Sequence, residues 1–189
     1  MFVLENGEML RGFIKNWILS FQVEDHSYWK DYFFKLGIDD PEYLKSHIRK
    51  GLYDENMATT YHSQARNLDN YITFDHFKDN YLEKVVYDYL DKMNYKMPDK
   101  LKFQFWHQNY KDGGYHSPHD HGDSLLSGIY LLELENVNTT VFYSRDQERP
   151  EQIVLDDAKE GDLILFDSKI WHSVDPCDGK KISICFNVE

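Results

Sequence analysis

The sequence holds little that would staple it, anchor it in a bilayer or fit it to a polyanion. Its two cysteines, Cys177 and Cys185, lie near the C-terminal end and are too few for a disulfide framework. No apolar run approaches the length that crosses a bilayer. The opening MFVLENGEML has no basic stretch leading into an apolar one, so no secretory signal is expected. Basic residues are outnumbered, 21 Lys and Arg against 33 Asp and Glu, for a formal net charge of -12. Duplex nucleic acid is therefore a disfavoured partner, because its binding rests on neutralising phosphates with cations. Lys92, Lys96, Lys100 and Lys102 fall close together and read as a solvated face. The expected setting is cytoplasmic, with no membrane partner; nothing in the pattern indicates an oligomeric state.

What is present suits one globular domain. The 189 residues are 41% hydrophobic and 16% aromatic, enough for a single sizeable core built on large anchors. Residues 1–98 are predicted to be a helical support with a lid. Met9, Leu10, Phe13, Ile14, Trp17, Ile18 and Phe21 recur at helical spacing, and Trp29, Tyr32, Phe33 and Leu36 repeat the pattern before Gly37. Asp40-Pro41-Glu42 gives an N-cap, a first-turn proline and a first-turn acid for a short helix ending near Gly51. Gly51 to Asp75 is polar and without period, and reads as a loop or lid. A last helix carries Phe77, Tyr81, Leu82, Val85, Tyr89, Leu90 and Met93.

After Pro98 the period changes. Strands are predicted from Leu101 through Trp106 and at 126–134, 139–143, 152–155, 162–166, 171–174 and 181–188, separated by Asp112-Gly113-Gly114, Glu160-Gly161-Asp162 and Asp178-Gly179. So many short strands in residues 99–189 imply a barrel or sandwich packed against the helices.

Four histidines fall in the stretch from Trp106 to Gly122: His107, His116, His119 and His121. In an extended Pro118-His119-Asp120-His121, residues two apart point the same way, so His119 and His121 can present imidazoles to one ion. The third ligand must come from elsewhere, and His172 in Trp171-His172-Ser173 is the candidate. Three protein ligands leave coordination positions open for a cosubstrate and oxygen. His121-Gly122-Asp123 also reads as His-x-Asp, so a shifted register would make Asp123 the carboxylate ligand. Further on, Lys181, Ser183 and Cys185 share one strand face and Ile182, Ile184 and Phe186 the other. If the first face is internal, Lys181 and Ser183 offer a cation and a hydroxyl to a ligand carboxylate; an exposed edge lysine is the plainer alternative.

These motifs resemble the Fe(II)- and 2-oxoglutarate-dependent oxygenases, in the branch with prolyl-4-hydroxylase-like domains, and within it small oxygenases of bacteria and phages. The resemblance rests on Trp106-x-x-Asn109-Tyr110-x-x-Gly113-Gly114, Pro118-His119-x-His121 and Leu126-Ser127-Gly128-x-Tyr130-Leu131. It extends through Glu160-Gly161-Asp162, Trp171-His172-Ser173-Val174 and Ile182-Ser183-Ile184-Cys185-Phe186-Asn187, covering about residues 100–189. It implies a double-stranded β-helix (a jelly-roll, cupin-like barrel) with Fe(II) at one mouth, held here by His119, His121 and His172. It also implies 2-oxoglutarate as cosubstrate, met by Lys181, Ser183 and Asn109, and hydroxylation of a small-molecule or peptide substrate with release of succinate and CO2. The superfamily usually has His-x-Asp where this chain has His119-x-His121, and most members carry Arg where it has Lys181. Two other readings remain open: a three-histidine cupin-like dioxygenase that does not use 2-oxoglutarate, and a non-catalytic metal- or ligand-binding barrel.

Overall fold

The computed structural model describes residues 2–3, 9–13, 16–45, 56–61, 72–95, 98–144 and 151–189. Its chain order is β1 (Phe2–Val3), β2 (Met9–Phe13), β3 (Asn16–Gln22), α1 (His26–Lys35), α2 (Pro41–Lys45) and β4 (Met57–Thr59). A helical stretch follows, from α3 (Asp75–Phe77) through a π-helical turn at Lys78–Leu82 into α4 (Glu83–Lys92). Then come β5 (Phe103–Tyr110), β6 (His116–His119), β7 (Leu126–Leu134), β8 (Thr140–Tyr143), β9 (Gln152–Val154), β10 (Asp162–Phe166), β11 (Trp171–Val174) and β12 (Lys181–Val188). Among the described residues no helix is long and apolar enough to cross a membrane.

The strands build an eight-stranded sheet, β1-β2-β3-β10-β7-β12-β5-β4, and a four-stranded sheet, β6-β11-β8-β9. From β5 onward the chain alternates between the sheets, save for the β8–β9 hairpin within the small one, which is the double-stranded β-helix expected. Side-chain alternation on β12 shows how the layers divide. Ile182, Ile184, Phe186 and Val188 pack with Trp29 and Phe33 of α1 and with Phe77, Leu82, Val86 and Leu90 of the later helices. Cys185, on the opposite face, packs between the sheets with Trp106, Phe142, Ile164, Phe166 and Ile170. Each fully buried apolar side chain here stabilises by about 1.5–3 kcal/mol, so the large sheet is held from both sides. Gly128 of β7 lies opposite Phe186, and a Cβ there would sit 2.1 Å from Phe186 Cζ: the ring occupies the space that the glycine leaves.

The helical reading of residues 9–21 is corrected. Met9–Phe13 and Asn16–Gln22 form an antiparallel pair, and β3 continues onto β10 from Ile18↔Phe166 to Gln22↔Asp162. Its side chains serve two layers: Ile18 lies in the inter-sheet core, Leu19 in the helix-side core. A strand covered on both faces is apolar almost continuously, and such a run satisfies the i, i+3, i+4 template as readily as the strand one.

The lid reading of 51–75 is also corrected where it can be tested. Met57–Thr59 is an edge strand on β5, and Ile72 and Phe74 are buried in the helix-side core; 51–55 and 62–71 lie outside the described residues. The remaining helices follow their signals. Gly37, at φ +82, follows α1, and Asp40 Oδ1 accepts from the backbone N–H groups of Glu42 (2.8 Å) and Tyr43 (2.9 Å) to cap α2. The expected end of that helix near Gly51 falls outside the described residues.

Candidate metal centre

Two strands of the small sheet and the turn after one of them assemble the centre. β6 and β11 pair antiparallel with His119 opposite His172, so the two imidazoles share the inward face. His121 lies two residues beyond β6, and its backbone N–H donates to Ser168 O at 2.9 Å, which ties that turn to the loop before β11. The three rings lie 5.3 Å (His119–His121), 4.3 Å (His119–His172) and 4.9 Å (His121–His172) apart, centroid to centroid. One nitrogen from each falls within 4.8 Å of the others, and among the described residues this is the group able to hold a metal ion.

The outer nitrogens are occupied. His119 Nδ1 faces Ser117 O at 2.9 Å, His172 Nδ1 faces Ile170 O at 3.2 Å, and His121 Nδ1 faces Ser127 Oγ and Asn187 Oδ1. A carbonyl only accepts, so His119 and His172 carry their proton on Nδ1 and leave the Nε2 lone pair free. Burial holds all three imidazoles neutral: it lowers the pKa of His119, brings that of His121 down to about 4, and lowers that of His172 far below the ordinary value. Mutual repulsion between the would-be cations adds to this for His121 and His172. Three neutral nitrogen donors converging in a desolvated setting are suited to a divalent cation. Asp123 is exposed and stands outside the group, so the set contains no acid. His116 touches the His119 ring at 4.1 Å without joining it, and His107 is buried on the far side of the large sheet, stacked on Tyr43.

Deeper between the sheets sits Lys181, 2% exposed. Its strand is internal, between β7 and β5, so it is not an edge lysine. Nζ donates to Asn138 Oδ1 at 2.8 Å and Thr140 Oγ1 at 2.9 Å, and lies 5.6 Å from the Tyr110 ring. Both acceptors are neutral, and among the described residues no carboxylate pairs with this cation. Desolvation accordingly pushes its pKa down to about 8. On the same face, Ser183 is 1% exposed, and its hydroxyl has no hydrogen-bond partner among the described residues.

Asn109 is corrected as a cofactor contact. It lies opposite Ile182 in the β5–β12 pair and so on the helix-side face, whereas Gln108 lies opposite Ser183. Its amide is spent there: Nδ2 donates to Ile38 O at 3.1 Å, and Oδ1 takes the His107 Nδ1 contact at 2.7 Å. The residues missed were Asn138 and Thr140 around Lys181, and Ser127, Ser168 and Asn187 behind His121. Ser127 stood in the Leu126-Ser127-Gly128 motif, and Asn187 was the next member of the Lys181, Ser183, Cys185 face; the others carried no sequence signal.

Residues 104–187 match the family described as putative 2OG-Fe(II) oxygenase. That match spans the barrel strands, from β5 to β12. Among solved structures, the chain resembles a prolyl-4-hydroxylase of Pseudomonas putida, with a TM-score of 0.62 at 12% identity over 91% of each chain. It also resembles HygX of Streptomyces hygroscopicus, solved with nickel and 2-oxoglutarate (0.59, 7% identity, 90% of this chain and 82% of that one). The third is SnoN, a non-heme alpha-ketoglutarate-dependent epimerase of nogalamycin biosynthesis (0.60, 12% identity, 91% and 77%). At these identities the likeness is one of fold, that of the prolyl-4-hydroxylase-like branch. No curated protein matches the chain in sequence.

Proposed function

We propose that the protein is an Fe(II)- and 2-oxoglutarate-dependent dioxygenase that hydroxylates a small-molecule or peptide substrate. His119, His121 and His172 would hold the iron, and Lys181 with Ser183 the far carboxylate of 2-oxoglutarate. One observation carries the reading: among the described residues, a buried ammonium with no acid beside it and a buried hydroxyl with no partner face, from the large sheet, the same interior into which the small sheet brings the imidazoles. Burying an uncompensated cation costs several kcal/mol, and a carboxylate supplied by a ligand removes that cost.

The spacing supports the same assignment. Across β8 and β11, His172 lies opposite Phe142 and Val174 opposite Thr140, so Thr140 and the ammonium it meets sit two residues deeper than His172. Two residues of strand span about 7 Å, a separation that suits the two ends of a short dicarboxylate.

When bound, iron with 2-oxoglutarate and dioxygen supplies a two-electron oxidation of the substrate, with release of succinate and CO2. The chain's own part is to position the reactants and keep water out. Phe166 and Phe142 lie against the His172 ring at 4.9 and 5.6 Å, and Trp106 lies 5.3 Å from His121, which makes the floor of the centre apolar. Lys181 and Ser183 would hold the cosubstrate's far carboxylate and so orient it in the pocket.

The deciding experiment is an anaerobic titration with Fe(II) and then 2-oxoglutarate, reading the weak visible charge-transfer band, repeated with Lys181→Ala. A band in the wild type that is weakened in the variant supports the proposal; unchanged 2-oxoglutarate affinity removes Lys181 from the site. The acid-free histidine set favours one other reading, a cupin-like dioxygenase without 2-oxoglutarate. That reading predicts tight iron and no response to 2-oxoglutarate, and a non-catalytic barrel predicts bound metal with no succinate formed.

A further inference from the structure

Behind His121 lies a chain of buried side chains whose hydrogens can be assigned. His121 Nδ1 is 2.7 Å from Asn187 Oδ1 and 2.8 Å from Ser127 Oγ. The Ser127 hydroxyl donates to the same Oδ1 at 2.8 Å and lies 2.8 Å from Ser168 Oγ. Ser127 and Ser168 are fully buried, and Asn187 is 5% exposed. An amide oxygen accepts and never donates. With the Ser127 proton given to Asn187, Ser127 Oγ accepts from Ser168. The protons then run from Ser168 to Ser127 to Asn187 and end there. His121 can meet this pair of acceptors only with a proton on Nδ1, which leaves Nε2 bare toward His119 and His172. The opposite amide orientation would aim N–H groups at Nδ1, drive the proton onto Nε2 and make the imidazole useless to a cation.

We propose that Asn187 is the positioning residue of the metal centre: it fixes His121 as the Nδ1–H tautomer and aims its Nε2, with Ser127 and Ser168 as its brace. The inference rests on His121 being a metal ligand. Of the three histidines, only this one is oriented by side chains rather than by a carbonyl of its own segment, so it is the one a point substitution can release. The acceptor is also neutral. A metal-bound histidine is often backed by a carboxylate, which raises its basicity; Asn187 supplies the direction without the charge.

The test compares wild type, Asn187→Leu and Asn187→Asp. In the metal-free protein, two-bond 1H–15N correlations of the imidazoles report the tautomer directly. The expected pattern is His121 as Nδ1–H in the wild type and in N187D, where a carboxylate oxygen still accepts, and a loss of that pattern in N187L. Ni(II) titration should show N187L weaker by about 10- to 100-fold and N187D close to wild type or tighter, with far-UV circular dichroism reporting that each variant is folded. His121 found as Nε2–H in the wild type overturns the inference, as does N187D binding Ni(II) about 10-fold or more weakly than wild type; both readouts hold even where N187L does not fold. A folded N187L with wild-type tautomer and affinity does the same. A wild type that shows Nδ1–H yet binds neither Ni(II) nor Fe(II) brings down the metal reading instead.

Discussion

Lys181→Met tests whether the buried ammonium is there for a ligand or for the fold. The pKa falls from an ordinary 10.5 to about 8 through desolvation, which at about 1.4 kcal/mol per factor of ten is a penalty of about 3 kcal/mol on the charged form. The sign follows from proton binding. Between pH 8 and 10.5 the unfolded chain holds this proton more tightly than the folded one, so the wild type gains stability from lysine deprotonation as pH rises through that window. Below pH 8 the penalty is present in full. Met keeps the volume, and Asn138 Oδ1 and Thr140 Oγ1 remain bonded to each other at 2.9 Å, so the substitution orphans neither.

Urea denaturation of metal-free, ligand-free protein at pH 7 should therefore find K181M at least as stable as wild type, by up to about 3 kcal/mol less whatever the two lost hydrogen bonds contributed. The difference should shrink by pH 10. Affinity for 2-oxoglutarate, measured anaerobically with bound metal, should fall by about 2–4 kcal/mol, roughly 30- to 1,000-fold in Kd. K181M that is several kcal/mol less stable at both pH values, or that binds 2-oxoglutarate like wild type, would refute the assignment.

The acid side has its own signature. His121, at about 4 in the folded state against about 6.5 unfolded, stays neutral while the unfolded chain protonates, so stability is full above pH 6.5 and falls by up to about 1.4 kcal/mol per pH unit down to pH 4. His121→Gln should show a shallower fall in the same denaturation series. Gly128→Ala forces its methyl into the fully buried Phe186 ring and should cost about 1–3 kcal/mol of unfolding free energy. Asn109→Leu should lower stability by about 1–3 kcal/mol through the unsatisfied Ile38 carbonyl and leave 2-oxoglutarate affinity unchanged; reduced affinity at wild-type stability would put Asn109 back in the site.

Legibility in the sequence followed coverage. From β7 onward turn signals at Glu160-Gly161-Asp162 and Asp178-Gly179 punctuate the strands, and one register of inward and outward residues survives in the letters, as Lys181, Ser183 and Cys185 against Ile182, Ile184 and Phe186 show. β3 failed because Ile18 and Leu19 feed different cores, and a strand covered on both sides has no polar face to mark its period. Asn109 failed for another reason. Parity within β5 says that Gln108 and Asn109 face apart, but which of them shares a face with Ser183 depends on the β5–β12 register, which neither strand encodes alone. The triad was readable because His119 and His121 are neighbours in the chain. The residues behind His121 come from β7, the loop before β11 and β12, and no local pattern links them.

The absence of an acid from the triad has an electrostatic consequence. Three neutral imidazoles leave a divalent cation with both its charges, and Lys181 adds a third positive charge between the sheets. A dianion such as 2-oxoglutarate is then bound with positive charge to spare, whereas a carboxylate ligand in place of one imidazole would cancel that surplus. His121→Asp makes the change at the position where Asn187 can turn its amide and donate instead of accept. The ligand atoms of the triad lie within 4.8 Å of one another, and at that distance a like-charge pair in an effective dielectric near 20 costs about 3 kcal/mol. H121D should accordingly hold Fe(II) while binding 2-oxoglutarate some ten- to a hundred-fold more weakly than wild type, and raising the ionic strength should weaken wild-type binding more than that of H121D. Equal or tighter 2-oxoglutarate binding in an iron-loaded H121D would mean that the surplus charge is neutralised by something other than the cosubstrate.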